Sequence, residues 1–381
     1  PEIIYAIDGI KLSATAAGVR YKERDDLVVI EIAEGATTAV VTTKNAFCAA
    51  PVKLLREHFA KTSPRYLVTN TGNANAGTGN DGMRRANEVC TALAAKAEVE
   101  IAEVLPFSTG VIGEPLNSEA IVNGLDTALA ELTPDSWLAA ANGIRTTDTL
   151  PKIASQKVEI INSQANGDSH SKRGTSYHIT GMSKGSGMIR PNMATMLGYV
   201  ATDANVSADL LQEMLNSINE QSFNRITVDG DTSTNDCCVL IATGKANSEI
   251  IDSSEHPHYQ LLYNALKQVF VRLAQLIVRD GEGATKFITI KVTSGNDTQE
   301  CCDVAYAVAH SPLVKTAFFA RDANWGRILA AVGYAGVAEL DTEQINVSLD
   351  EVLICENGGL AASYTEAAGQ EVMRRSEITI H

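Results

Sequence analysis

Short apolar segments of strand length alternate with longer amphipathic helical segments along almost the whole chain, and this alternation is what most constrains the fold. Residues 26–33, 38–43 and 66–70 are rich in Val, Ile, Leu and Thr and read as strands. Residues 84–97 and 119–132 carry Leu, Ala and Val at helical spacing. The second half repeats the texture. Residues 207–222 predict a helix with Ser207 at its N-cap and Leu210, Leu211, Met214 and Leu215 on one face. Residues 259–278 give the clearest helix, ending near Gly281, and residues 286–292 alternate as a strand. Strands interleaved with helices predict an α/β or α+β protein with substantial sheet. The polar stretches at 162–175 and 249–258 read as surface loops. No linker, repeat or low-complexity run marks a domain boundary.

Charge and composition exclude several classes. Lys and Arg number 31 against 46 Asp and Glu, a net charge of −15, which disfavours a dedicated nucleic-acid binder. An anionic substrate must therefore be held by local Lys, Arg or backbone N–H groups. No stretch is expected to approach the roughly 18 apolar residues of a membrane span. The opening Pro1-Glu2-Ile3-Ile4-Tyr5 has no basic region of a secretory signal. The seven cysteines include two adjacent pairs, Cys237-Cys238 and Cys301-Cys302, and no C-x-x-C spacing. That predicts reduced, cytosolic thiols rather than disulfides or zinc. The histidines show no H-x-x-x-H or H-E-x-x-H, so no metal site is expected.

Five segments are unusually dense in small or hydroxylated residues. Residues 69–79 offer many backbone N–H groups after a strand, as an anion cradle or a tight polar turn would, but no Gly-Lys-Ser/Thr closes a Walker loop. Ser108-Thr109-Gly110-Val111-Ile112-Gly113 sets a hydroxyl beside a flexible glycine N–H, which suits either a two-donor oxyanion hole or a turn. Thr146-Thr147-Asp148-Thr149 is a capping or Asx-turn segment, or a set of hydroxyls for a polar ligand. Residues 181–197 hold Lys184, Arg190, three glycines and an Ala194-Thr195 step. Lys184 suits a carboxylate. Thr195 is a poor nucleophile unless the chain is cut before it, since the freed α-amine, of pKa about 7.7–8.0, then serves as general base. Arg279-Asp280-Gly281-Glu282-Gly283-Ala284-Thr285-Lys286 leaves Glu282 between glycines, facing a cleft or following a helix cap. Two other patterns fail on context. Gly181-Met182-Ser183-Lys184-Gly185 lacks the apolar strand and following helix of a nucleophile elbow, and Gly77-Thr78-Gly79-Asn80-Asp81-Gly82 starts too far from its strand for a dinucleotide fingerprint.

The segment Lys184-Gly185-Ser186-Gly187-Met188-Ile189, followed by Pro191-Asn192-Met193-Ala194-Thr195-Met196-Leu197, resembles the self-processing site of the ornithine acetyltransferases, the glutamate N-acetyltransferases of arginine biosynthesis. The other four clusters resemble that family's motifs in the same order. So do Gly230-Asp231-Thr232-Ser233-Thr234-Asn235-Asp236 and Ser311-Pro312-Leu313-Val314-Lys315-Thr316-Ala317, so the resemblance covers essentially the whole chain.

The resemblance implies an α/β fold layered like an Ntn hydrolase, made of an α chain, residues 1–194, and a β chain, residues 195–381, by self-cleavage at Ala194–Thr195. It implies Thr195 as nucleophile and Thr109 and Gly110 as the oxyanion hole. It implies Thr146, Lys184, Thr195 and Glu282 as substrate contacts, with Glu282 reading the substrate amine. The implied reaction is ping-pong acetyl transfer from N-acetylornithine to glutamate through acetyl-Thr195, with no cofactor. Acetyl-CoA is left open as a second donor. The expected assembly is an α₂β₂ heterotetramer in the cytoplasm, with no nucleic-acid or membrane partner. Family members usually continue to a C-terminal segment that supplies an Asn and a Thr or Ser to the substrate; the sequence ends at His381, so those positions are unassigned. The competing enzyme class is a self-processed amidohydrolase using the same Thr195, and the non-enzymatic alternative is a phosphate- or nucleotide-binding module built on the Gly-rich loops.

Overall fold

In a computed structural model that describes residues 1–160, 175–190 and 196–381, the chain divides into two compact units, Pro1–Glu282 and Gly283–His381. The first unit runs β1 (Ile10–Thr15), β2 (Leu27–Ile32), β3 (Thr37–Thr42), α1 (Ala50–Phe59), β4 (Tyr66–Asn73), α2 (Gly79–Ala97), β5 (Val104–Val111), α3 (Ser118–Ala130) and α4 (Trp137–Gly143). It continues with β6 (Lys152–Ile160), β7 (Thr175–Lys184), β8 (Leu197–Thr202), α5 (Ala208–Glu220), β9 (Cys237–Ala242) and α6 (Tyr259–Arg279).

Two mixed sheets result. The first has the order β1-β2-β4-β5, antiparallel except for the parallel pair β4/β5. The second has the order β3-β9-β8-β7-β6, in which β8/β9 is parallel and the other pairs antiparallel. Alternation along the strands explains the layering, because successive side chains point to opposite faces. In β2, Val28, Ile30 and Ile32 enter the core shared by both sheets, while Leu27 and Val29 enter a second core against α2 and α3. In β9, Cys237, Val239 and Ile241 face the shared core, while Cys238, Leu240 and Ala242 face α5 and α6. A run buried on both faces loses the polar alternation of a surface strand, which is why these segments read as continuously apolar. It also separates the adjacent Cys237 and Cys238 onto opposite faces, and both are free thiols.

The sheets meet face to face. Phe107 on β5 packs edge-on against Tyr199 on β8 with ring centroids 5.2 Å apart, and the Tyr199 hydroxyl shares a 2.8 Å hydrogen bond with Thr69 on β4. The order is helix, sheet, sheet, helix, the layered mixed α/β arrangement expected. The expected boundary at 194/195 is a different division from the spatial one at 282/283; Ala194 and Thr195 lie outside the described residues, as do residues 162–174 of the stretch 162–175 expected to be a surface loop.

One expectation is corrected. By length and composition α6 is apolar enough to cross a membrane. In the fold it is amphipathic. Leu262, Leu266, Val269, Phe270, Leu273 and Ile277 are buried against the second sheet, whereas Lys267 and Gln268 lie on the other side. Gly181 on β7 lets α6 come close: a Cβ there would sit 3.0 Å from Leu273 Cδ1 and 2.7 Å from Val200 Cγ2. Ser207 occupies the N-cap position of α5, but its side chain makes no capping bond.

The second unit is a five-stranded sheet, β10 (Phe287–Ile290), β14 (Glu377–Ile380), β11 (Val347–Leu349), β12 (Val352–Glu356) and β13 (Gly359–Leu360) in spatial order, with β10/β14 parallel. Helices α7 (Thr298–His310), α8 (Pro312–Phe319), α9 (Trp325–Gly333) and α10 (Glu366–Met373) contribute Val308, Phe318, Ile328 and Met373 to its separate core.

Because Leu273 is fully buried where α6 rests on β7, Leu273→Ala is expected to cost about 2–5 kcal/mol, read as a lower urea midpoint. An unchanged midpoint would mean that this contact does not support the fold.

Candidate active site

The functional candidates of the first unit collect where β5 and β7 end, beside the loop after α4 and the C-terminus of α6. At the end of β5, Thr109 is 8% exposed. Gly110 follows at φ +137°, and a Cβ there would lie 2.3 Å from the carbonyl carbon of Gly72 and 2.4 Å from the nitrogen of Asn73. Both are backbone atoms of the neighbouring strand and cannot yield, so only glycine fits. The strand ends are fixed by the buried Asn235, whose Nδ2 donates to Ala74 O at 2.6 Å and Ser108 O at 2.8 Å.

Lys184 ends β7 and donates from Nζ to Thr109 Oγ1 at 3.0 Å. This contact occupies a lone pair of the hydroxyl and leaves its O–H as a donor, so a lysine cation, the Thr109 hydroxyl and the Gly110 N–H form one electropositive corner. Burial pushes the Lys184 amine below its ordinary value, while the carboxylates of Asp148, Asp236 and Glu282 pull the other way.

Thr146 is joined to Lys184 through Asp148. The Thr146 N–H donates to Asp148 Oδ2 at 3.1 Å, and the Gly185 N–H donates to Asp148 Oδ1 at 2.7 Å. The Thr147 and Ser186 hydroxyls share a 2.6 Å bond. Glu282 closes the group: its N–H donates to Ser186 O at 2.9 Å, and its exposed carboxylate lies over Gly187, where a Cβ would come within 2.6 Å of Oε1. Thr109, Gly110, Thr146, Lys184 and Glu282, drawn from positions up to 173 residues apart in sequence, are thus linked through shared contacts. Thr195 and Ala194 lie outside the described residues; Met196 O accepts from Cys237 N at 2.9 Å, and Leu197 pairs with Lys184 across β8/β7.

Sequence reasoning passed over four charged groups here. Asp148 and Asp280 stood inside clusters it named but were given no site role, and Lys152 and the side chain of Asp236 drew no comment. Lys152 is 1% exposed and donates to Asp148 Oδ1 at 2.5 Å and Asp280 Oδ2 at 2.6 Å. Asp236 is buried, which pushes its carboxyl well above the ordinary range against Ser233 hydrogen bonds and the Lys184 cation. Its Oδ2 has no hydrogen-bond partner among the described residues.

Other readings change. Gly281 is no left-handed helix cap; it is buried against Val228, where a Cβ would meet Cγ1 at 3.1 Å. Residues 69–73 of the 69–79 segment are the end of β4, and Asn side chains tie the polar turn that follows to its surroundings: Asn75 N–H donates to Asn73 Oδ1 at 2.7 Å, Asn75 Nδ2 to Gly82 O in α2 at 2.9 Å, and Asn73 Nδ2 to Pro115 O at 3.1 Å. Ser183 is buried inside β7, which excludes the nucleophile elbow.

Burial by itself would raise the Asp148 carboxyl, but Lys184, Lys152 and the Gly185 N–H outweigh it and hold it at about 2, below the ordinary 3.8. A carboxylate lowered on folding stabilises the protein above the unfolded value and loses that contribution as pH falls through the folded one. Asp148→Asn should therefore show a deficit of about 2 kcal/mol at pH 7 that shrinks between about pH 4 and pH 2, measured by denaturant unfolding across pH. A deficit independent of pH would remove the charge from the explanation.

The sequence model of the ArgJ family matches residues 11–381. The arginine biosynthesis bifunctional protein ArgJ of Psychrobacter arcticus is 78% identical over 381 residues, which is 100% of this chain and 91% of that protein. That of Pseudomonas fluorescens is 53% identical over 377 residues, 99% of this chain and 90% of that protein. Among solved structures, ArgJ from Bacillus halodurans is 40% identical and aligns with 47% of this chain and 84% of its own, at a TM-score of 0.44. Ornithine acetyltransferase from Mycobacterium tuberculosis, complexed with ornithine, is 26% identical and aligns with 50% of this chain and 94% of its own, at a TM-score of 0.41. With a match to the family model over 371 of its 381 residues and a relative this similar along its whole length, the chain belongs to the ArgJ family.

Proposed function

We propose that this chain moves an acetyl group from N-acetylornithine to glutamate through an acetyl ester on Thr195, after cutting itself between Ala194 and Thr195. The chain is an acetyltransferase of arginine biosynthesis, as its membership of the ArgJ family implies. The observation that carries the mechanism is the corner formed by Lys184, Thr109 and Gly110.

In the first half-reaction the Thr195 hydroxyl attacks the acetyl carbonyl and its own α-amine accepts the proton. The negative charge that develops on the carbonyl oxygen is met by the Thr109 hydroxyl and the Gly110 N–H. Collapse breaks the amide C–N bond, and the departing ornithine nitrogen takes the proton back. Glutamate's amine then attacks the ester through the same steps in reverse, and Thr195 is regenerated. Lys184 holds a substrate carboxylate, Thr146 contacts the substrate's polar end, and Glu282 pairs with the substrate ammonium. No cofactor is needed. Acetyl-CoA serves as a second donor to the same ester, with a thiolate leaving in place of the amine. Two relatives named as bifunctional support this second donor. The working form is a cytoplasmic α₂β₂ heterotetramer of the two pieces.

Intact mass and N-terminal sequencing test the nucleophile. Wild type should give residues 1–194 and 195–381, the second beginning Thr195-Met196-Leu197, and Thr195→Ala should stay whole. An uncut wild type with full transferase activity would overturn the mechanism. Acetate release from N-acetylornithine at the same rate with and without glutamate would make the enzyme an amidohydrolase instead.

Thr109→Ala should lower turnover by about 10²–10³-fold, as loss of one oxyanion donor does, with folding intact by circular dichroism. Near-normal turnover would remove Thr109 from that role.

A further inference from the structure

We propose that Lys152 is a positioning residue for the amino-acid site: with Asp148 and Asp280 it forms a buried clamp that holds the three segments carrying Thr146, Lys184 and Glu282 in one arrangement. The inference rests on the reading of those three residues as substrate contacts.

The clamp is closed to any ligand. Lys152 Nζ spends its donors on Asp148 Oδ1 at 2.5 Å, Asp280 Oδ2 at 2.6 Å and Leu150 O at 3.4 Å. Asp148 accepts in addition from Thr146 N and Gly185 N. Asp280 Oδ2 also accepts from Thr149 N at 2.9 Å, and its Oδ1 takes the Thr149 hydroxyl. The side chains of Lys152 and Asp148 are 1% and 0% exposed and that of Asp280 10%. Every polar atom of the three is satisfied within the protein. The cluster is a strut, and substrate binds elsewhere.

Its attachments give it a function. Asp148 lies two residues from Thr146 and bonds the residue after Lys184. Asp280 lies two residues before Glu282. One ammonium therefore sets the spacing between the carboxylate-binding lysine and the ammonium-binding glutamate, the two ends of an amino-acid substrate. A buried ion pair is weak evidence for stability, because apolar residues of the same volume commonly serve as well. What apolar packing does not supply is fixed hydrogen-bond geometry to the backbone of two segments, 146–150 and Gly185, with Asp280 tying in the third. The oxyanion corner is secured separately, by Asn235 and by the close approach of Gly110 to Gly72. Loosening the Asp280 arm should thus act on substrate binding and spare the chemistry.

The test uses the full chain, with Asp280→Asn and Thr149→Val beside wild type. Self-cleavage is read by mass, and kcat and KM are read for N-acetylornithine and for glutamate. For Asp280→Asn the expected result is complete self-cleavage, KM raised about 10-fold or more for both substrates and kcat within about 3-fold of wild type, the pattern of lost binding without lost transition-state contacts. Thr149→Val removes only one hydroxyl contact to Asp280 and should raise KM in the same direction by about 2–5-fold, so it decides the matter if Asp280→Asn does not fold. KM unchanged in the folded, cut variants overturns the clamp, and so does a fall in kcat with KM unchanged. A wild type that transfers no acetyl group overturns the reading of the site instead, which keeps the two failures apart.

Discussion

The amide of Asn235 joins the two sheets beside the candidate site. It lies just before β9 of the second sheet, yet it donates to Ala74 O beyond β4 and Ser108 O on β5, 161 and 127 residues away. Its own Oδ1 accepts from Thr234 at 2.6 Å. The amide is buried, so removing it would leave two carbonyls without partners where water is excluded, at a cost of about 1–3 kcal/mol for each. The parallel pairing that brings Gly110 onto Gly72 is held from outside the first sheet, and the presentation of the Gly110 N–H depends on that hold. The placement of the Thr109–Gly110 corner is therefore a property of the sandwich, and no single strand specifies it.

Much of this fold is legible in the sequence because it is set by local periodicity. The strands β2, β3 and β4 and the helices α3, α5 and α6 fall within a few residues of where their patterns place them. The candidate site residues are named for a different reason: Thr109, Gly110, Thr146, Lys184 and Glu282 stand in motifs whose order resembles a known family, and the fold brings them near one another. What stayed hidden is whatever depends on segments meeting in space. Lys152 stands in no motif, and only the approach of Asp280, 128 residues later, makes it a buried cation with two counter-charges. Gly281 looks like a cap by its place after a helix, while its neighbour Val228 shows that it is there for lack of volume. The membrane-length apolarity of α6 escaped notice because Lys267, Gln268 and Arg272 interrupt the run while one face remains continuous.

The electrostatics of the site follow from a single imbalance. Lys184 and Lys152 sit among the carboxylates of Asp148, Asp236 and Asp280, with the exposed Glu282 at the edge, so carboxylates outnumber cations. Folding resolves this unevenly. Asp148 and Asp280 gain enough hydrogen bonds to be held below the ordinary carboxylate range although burial opposes it, whereas Asp236, with fewer partners, is pushed above it. The carboxylates that touch the Lys152 ammonium keep their charge against burial, whereas at Asp236 the Ser233 hydrogen bonds and the Lys184 cation do not offset it.

The strand order of the second sheet carries a consequence of its own. Read as β3-β9-β8-β7-β6, it places strands from before residue 194 on both flanks of a pair from after residue 195. A cut between Ala194 and Thr195 would leave β8 hydrogen-bonded to β7 along six residue pairs and β9 to β3 along another six. The two products would be interleaved within one sheet, like the fingers of clasped hands. Neither could leave without tearing two ladders and opening the cores on both sides, so partner exchange between cut molecules would be as slow as unfolding. Each pair of products would stay together for the life of the fold that made it.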